Sequence, residues 1–136
     1  MSKIEVSAGF VILQDKKILL EHPTGSKWIG TYSIPKGKVE KGEDIFDAAV
    51  RETKEELGIE ISVADLVSLY PGLIEYSNKG KVYKKIFYWI VMPSKRIDID
   101  LSKLQKDEVD WAGFLTKEEA ETKIFWRQKE ILEMLQ

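Results

Sequence analysis

Glu52, Glu55 and Glu56, inside "RETKEE", have the three- and four-residue spacing that places side chains on one face of a helix. Like charges so placed repel by about 0.2–0.5 kcal/mol per pair, so their convergence calls for solvent or a cation. Hard divalent cations such as Mg²⁺ take oxygen ligands and share them with substrate phosphates, and three convergent carboxylates supply such a site. Taken alone, the triplet is more often a solvated face offset by neighbours such as Arg51 and Lys54. The residues before it shift that balance. "SIPKGKVEKGE" is a loop in which Pro35 fixes the entry and Gly37 and Gly42 permit conformations other residues resist. Such a loop can bring backbone carbonyls and amides against a metal or a phosphate.

The elements that must position these groups read as follows. Ile45, Phe46, Ala49, Val50, Thr53 and Leu57 recur at helical spacing, with Asp44 as N-cap and Gly58 as the C-terminal stop. "VSAGFVIL" and "KKILLEH" read as two strands joined by a turn at "QDKK", and "WIGTYSI" as a short extended segment within a loop. "IEISV" is expected to be a strand, "LVSLYPGLIEYS" a longer interrupted one, and "KVYKKIFYWIVM" a strand buried on both sides in its second half. "DEVDWAGFL" reads as the last strand. "TKEEAETKIFWRQKEILEML" reads as an amphipathic closing helix that begins with a capping box from Thr116 to Glu119. The pattern predicts an α/β fold, a sandwich of helices over a mixed β-sheet.

The 136 residues suit a single domain, 1–136, with no repeat or linker to divide it. Lysine and arginine (21) nearly balance aspartate and glutamate (23), which argues against dedicated nucleic-acid binding but not against a small anionic substrate. With no cysteine, thiolate metal sites and cysteine nucleophiles are excluded. The N-terminal stretch has neither a signal peptide nor a membrane span, so a cytoplasmic enzyme or binding protein, monomeric or homodimeric, is expected.

One pattern goes beyond spacing. Gly37, Glu43, Arg51-Glu52, Glu55-Glu56 and Gly58-Ile59 stand at the separations of the Nudix box, here residues 37–59, and the surrounding elements resemble the rest of a Nudix (MutT-like) domain. Thr53 departs mildly, standing where the pattern prefers an aliphatic residue. The resemblance implies a Nudix-type α/β/α sandwich and Mg²⁺- or Mn²⁺-dependent hydrolysis of a nucleoside diphosphate-linked substrate by water attack at phosphorus. By the same resemblance Glu52, Glu55 and Glu56 are metal ligands with the Gly37 carbonyl a further one, Arg51 orients Glu52, and Glu43 supports the loop. The competing class is a non-catalytic Nudix-fold module that binds nucleotide or RNA. Such modules usually carry a broken box, and every acidic position is kept here.

Outside the box the catalytic base stays open between Glu52, Glu55 and Glu108, the last matching an acid that Nudix proteins often carry before their final strand. The lead-in "PKG" resembles diadenosine polyphosphate hydrolases and diphosphoinositol phosphatases, and would let Lys36 pair with a substrate phosphate. "ILLEHP", "SIPKGK" and "RQKEIL" resemble bacterial predicted nucleotide pyrophosphohydrolases. Dinucleoside polyphosphates are thus the first expected substrates and nucleoside triphosphates the second. Trp28, Tyr32, Tyr76 and Tyr83 are candidates to stack on a nucleobase, Trp28 and Tyr83 foremost. Trp89, Trp111 and Trp126 read as core, His22 as structural, and the lysines of "NKGKVYKK" as a solvated hairpin tip.

Overall fold

The computed structural model describes residues 3–135. Strand β1 (Glu5–Gln14) lies at the centre of a mixed sheet. Its residues alternate, as the two-residue period of a strand requires. Ala8, Phe10 and Ile12 join one core with helix α1 (Ile45–Leu57), while Val11 and Leu13 join a second core on the opposite face. The α/β class and the layered arrangement follow from that division.

The turn after β1 has Asp15 and Lys16 at φ of 54° and 62°, the left-handed pair a two-residue hairpin needs. It leads into β2 (Lys17–Pro23), yet β1 and β2 pair only at Leu13–Ile18 and Gln14–Lys17. Beyond that point they part. On its own side β1 pairs in parallel with β5 (Lys81–Val91) from Glu5 to Ile12, and β5 pairs with β4 (Gly72–Asn78). The three-residue strand β3 (Lys36–Lys38) runs antiparallel against Ser7–Gly9 of β1. On the other side β2 pairs with β6 (Val109–Leu115). The sheet is therefore forked, and the loop from Thr24 to Pro35 crosses the fork.

Helix α1 starts where Asp44 accepts hydrogen bonds from the Phe46 and Asp47 amides, and ends at Gly58, whose φ of 71° is the left-handed stop. Ala48, Ala49, Thr53, Glu56 and Leu57 are buried. The two alanines let the helix lie close against β1. Thr53 carries the departure from the box pattern inward: its hydroxyl is buried with no hydrogen-bond partner among the described residues.

Four expectations are corrected. "IEISV" forms no strand, because Ser62 and Asp65 close a capping box that turns Val63–Asp65 into a 3₁₀ turn, and only Ile61 is buried. The strand expected from "LVSLYPGLIEYS" is confined to β4, while Val67, Leu69 and Tyr70 lie exposed before it. The closing helix is broken in two. Helix α2 (Lys117–Lys123) keeps the Thr116–Glu119 capping box, but Phe125 then donates its amide to the Tyr32 carbonyl, and a 3₁₀ helix runs from Trp126 to Met134. Buried Gln128 fixes the second piece, bonding the Ile34 amide, the Ser33 hydroxyl and the Tyr76 hydroxyl. Trp126 is not core: it is 63% exposed and covered on one face by the Arg127 guanidinium at 4.3 Å.

Candidate active site

A cleft of about 440 Å³ opens beside the fork, between the strands that diverge and the edge of α1. Six glutamates line it: Glu5, Glu21, Glu52, Glu55, Glu56 and Glu108. Three lysines line it too, Lys36 and Lys38 from β3 and Lys84 from β5, with Ser7, Ser33 and Gly37 among them. The acidic face of α1 thus meets the glycine loop, and both meet cations from a different strand.

Arg51 cross-links this loop to the helix. Its Nε and Nη2 donate to the two carboxylate oxygens of Glu43 at 2.8 and 2.9 Å, a two-point pairing. Nη1 donates to Glu52 at 2.9 Å and reaches Glu55 at 3.3 Å, and Nη2 also donates to the Lys38 carbonyl at 3.0 Å. The Arg51 hydrogen bonds hold the Glu43 carboxyl at about 2, with the Glu40 amide helping, and the Glu43 bond chiefly raises Arg51 in turn. Glu43 accepts that Glu40 amide at 3.0 Å, so one carboxylate closes the loop and anchors the guanidinium.

Gly37 is required by closeness. A β-carbon there would stand 2.0 Å from the Glu52 carboxyl carbon, so the glycine backbone packs directly on that carboxylate. Glu52 is raised above the ordinary carboxyl range, mainly by burial and against the pull of Arg51. Glu56 is raised further, to about 7, by burial first and by the nearby charges of Glu52 and Glu108. Lys84 is half-buried, and burial with the neighbouring Lys36 brings it down to about 8. Glu5 lies 3.5 Å from Lys38 and 3.8 Å from Lys84, joining two of the three lysines.

The residues present fit a divalent cation. The α1 face offers the carboxylates of Glu52, Glu55 and Glu56, the Gly37 backbone is pressed against Glu52, and buried Glu56 Oε1 has no partner among the described residues. Glu52 and Glu55 lean on Arg51, and among the described residues no three acidic or histidine side chains stand in ready ligand geometry.

A model of the NUDIX domain matches residues 3–135. The chain belongs to the Nudix family. This Nudix domain is 40% identical over 68 residues to the CTP pyrophosphohydrolase of Escherichia coli, a match covering 50% of each chain. It is 32% identical over 89 residues to the asymmetrical bis(5'-nucleosyl)-tetraphosphatase of Mus musculus, covering 65% of this chain and 59% of that one. The chain thus spans little more than half the length of these two relatives. A crystal structure of a Caenorhabditis elegans Ap4A hydrolase binary complex superimposes with a TM-score of 0.72 at 25% identity, over 94% of this chain and 93% of that one.

Of the residues singled out in the sequence, Lys36, Gly37, Glu52, Glu55, Glu56 and Glu108 line the cleft of this Nudix domain, and Arg51 braces it from behind. Trp28 and Tyr83 do not line it. Trp28 stacks on His22 at 3.6 Å between ring centroids, and Tyr83 sits edge-on to Tyr76 under the Arg127 guanidinium. His22 is wholly buried and structural, its ring nitrogens facing Asp110 and the Lys27 carbonyl. Other lining residues, Glu5, Lys38, Lys84 and Glu21 among them, are not assigned to the site from the sequence. Lys84 belongs to a stretch that reads as a solvated hairpin tip, but pairing with β1 and β4 carries it into the cleft. Glu21 is an acid two residues after buried Leu19 on the same side of β2. A charge on the inward register of a buried strand was the available signal.

Proposed function

We propose that the chain hydrolyses a phosphoanhydride bond in a nucleoside diphosphate-linked substrate, with water attacking phosphorus and a divalent cation, Mg²⁺ or Mn²⁺, as cofactor. The observation that carries this is the two-signed cleft: the carboxylate face of α1 meets Lys36, Lys38 and Lys84 across one opening. Carboxylates alone would serve a cation and lysines alone an anion, whereas a metal–pyrophosphate pair uses both. Glu52, Glu55, Glu56 and the Gly37 carbonyl would hold the cation, which when bound neutralises the pyrophosphate and acidifies the attacking water.

Each residue then has a task. Arg51 fixes the direction of the Glu52 carboxylate through its 2.9 Å bond while Glu43 holds the guanidinium in place. Lys36, Lys38 and Lys84 bind the phosphate oxygens. Glu108 takes the proton of the attacking water: it lines the cleft, is exposed, and makes no side-chain hydrogen bond or ion pair among the described residues. Glu52, by contrast, is committed to Arg51. Dinucleoside polyphosphates are the first substrate class to test and nucleoside triphosphates the second. The names of the mouse and Escherichia coli relatives support these two choices.

The test is phosphate release from dinucleotides, triphosphates and nucleotide sugars, with and without Mg²⁺, by the unaltered chain and by Glu56→Gln. Turnover that needs Mg²⁺ and collapses in Glu56→Gln is expected. No turnover on any of them refutes the enzymatic reading, and undiminished turnover in Glu56→Gln refutes the assigned metal face.

A further inference from the structure

Glu21 has no task in the reaction above, and its surroundings require one. Its side chain is 5% exposed, and its Oε1 is buried without a hydrogen-bond partner among the described residues. The backbone around it is tied down. Glu21 donates its amide to the Ser33 carbonyl at 2.8 Å and accepts the Ser33 amide at 3.0 Å, which locks β2 to the loop crossing the fork. The side chain therefore stays pointed at the cleft, which it lines together with Glu56. Glu56 is itself 7% exposed, and its Oε1 is in the same buried and partnerless condition.

Two buried carboxyls with partnerless oxygens on one cleft are costly to keep, since buried polar groups are almost always satisfied. A buried carboxylate tied to no structural partner destabilises the fold, and an apolar residue of similar size would remove the cost. No ion pair to Glu21 exists among the described residues: Lys38 and Lys84 lie against Glu5, and Lys36 acts on Glu21 and Glu56 through its charge without forming an ion pair with either. The two carboxyls stand within hydrogen-bonding reach of each other, yet each keeps an Oε1 without a partner, and a cation bound between them would satisfy both of those oxygens at once. A hard divalent cation takes six or more oxygens, more than the α1 face provides unaided.

We propose that Glu21 is a further ligand of a divalent cation, holding it jointly with Glu56 at the inner end of the cleft. This rests on the metal-dependent reading above and adds a carboxylate from β2, outside the box. The site is thereby built from both arms of the fork, with Glu56 carried by α1 and Glu21 by the strand that diverges from β1.

The test is Mn²⁺ binding without nucleotide, read by calorimetry and by the paramagnetic signal of free Mn²⁺, for the unaltered chain, Glu21→Gln and Glu56→Gln. Circular dichroism and thermal melting check that each variant is folded. Glu21→Gln is expected to lose one Mn²⁺ equivalent or to weaken the tightest binding by roughly tenfold or more. Mn²⁺ binding to Glu21→Gln with unchanged affinity and stoichiometry overturns the proposal. If Glu56→Gln alone loses the ion, the α1 metal face stands and only the role of Glu21 fails. If the unaltered chain binds no Mn²⁺ at all, the metal reading falls first. The anomalous signal of Mn²⁺ in crystals of the unaltered chain decides the matter independently of any variant's folding. A peak at ligand distance from Glu21, about 2.1–2.3 Å, is expected, and a peak ligated by the α1 residues without Glu21 refutes it.

Discussion

Replacing Gly37 with alanine adds one methyl group and is expected to disable the site almost selectively. The new β-carbon would stand 2.0 Å from the Glu52 carboxyl carbon and 2.1 Å from Oε2, whereas ordinary contact begins near 3.4 Å. The carboxylate must therefore retreat by more than an ångström, and the Arg51 bond at 2.9 Å resists the retreat. A displacement of that size at a catalytic group costs about 10²-fold in rate. Overpacking costs stability as well, about 1–3 kcal/mol. Gly42→Ala supplies the contrast. Gly42 has a φ of 78° and nothing within 4 Å of an added β-carbon, so alanine there is strained without touching the site. It is expected to lose about 1 kcal/mol or somewhat more in denaturant unfolding and to keep its kcat. Steady-state kinetics and urea unfolding of both variants decide it. Equal kcat for Gly37→Ala and the unaltered chain would refute the claim that the glycine is there to admit the Glu52 carboxylate.

Thr53→Val removes a buried hydroxyl that has no partner among the described residues and restores the aliphatic character expected there. It should stabilise the fold by about 1 kcal/mol and raise Tm by about 3–5 °C, read by calorimetric melting. Arg51→Lys keeps the charge but loses the two-point bond to Glu43, and a 10- to 100-fold loss in kcat or in metal affinity is expected. Glu108→Gln should lower kcat by about 10²-fold or more while Mn²⁺ affinity changes far less, which single-turnover kinetics and calorimetry separate. Two limbs of the stability–pH curve follow from the shifted carboxyls. Glu43, held at about 2 in the fold against an ordinary 4.5, contributes stability above pH 4.5 that is lost as pH falls toward 2, and Glu43→Gln should flatten that acid limb. Glu56, raised to about 7, works in the opposite sense in metal-free protein. Its contribution is present below 4.5 and lost as pH rises through about 7, so Tm should fall over that range and Glu56→Gln should remove much of the fall.

What could be read from the chain was mostly local. The Asp44 cap, the α1 span, the Gly58 stop and the Thr116–Glu119 capping box each depend on residues within four positions of one another, and each stands in the structure. The carboxylate face belongs to the same class, because helical spacing alone brings Glu52, Glu55 and Glu56 to one side. Distant partners decided the rest. The closing helix breaks because Tyr32 and Ile34 offer backbone groups to Phe125 and Gln128 across the molecule. Lys84 enters the cleft because β5 pairs with β1, and Trp126 turns outward because the 3₁₀ helix rotates it away from the core. Glu21 combines the two cases. Its inward register could be inferred from Leu19, but the fact that it meets Glu56 depends on where the strands diverge.

The short β1–β2 pairing has a mechanical consequence. Joined by two residue pairs next to a tight turn, the strands behave like the arms of a clasp with its pivot at Asp15 and Lys16. Anything bridging Ser7 on one arm, Glu21 on the other and Glu52 on α1 closes the open end. Occupancy then travels as stiffness: the Glu21 and Ser33 amides, which donate to each other's carbonyls across that gap, should exchange with solvent more slowly once the cleft is filled. Binding would become visible in backbone breathing at the fork, through amides that lie at the wall of the cleft and are themselves engaged with each other's carbonyls.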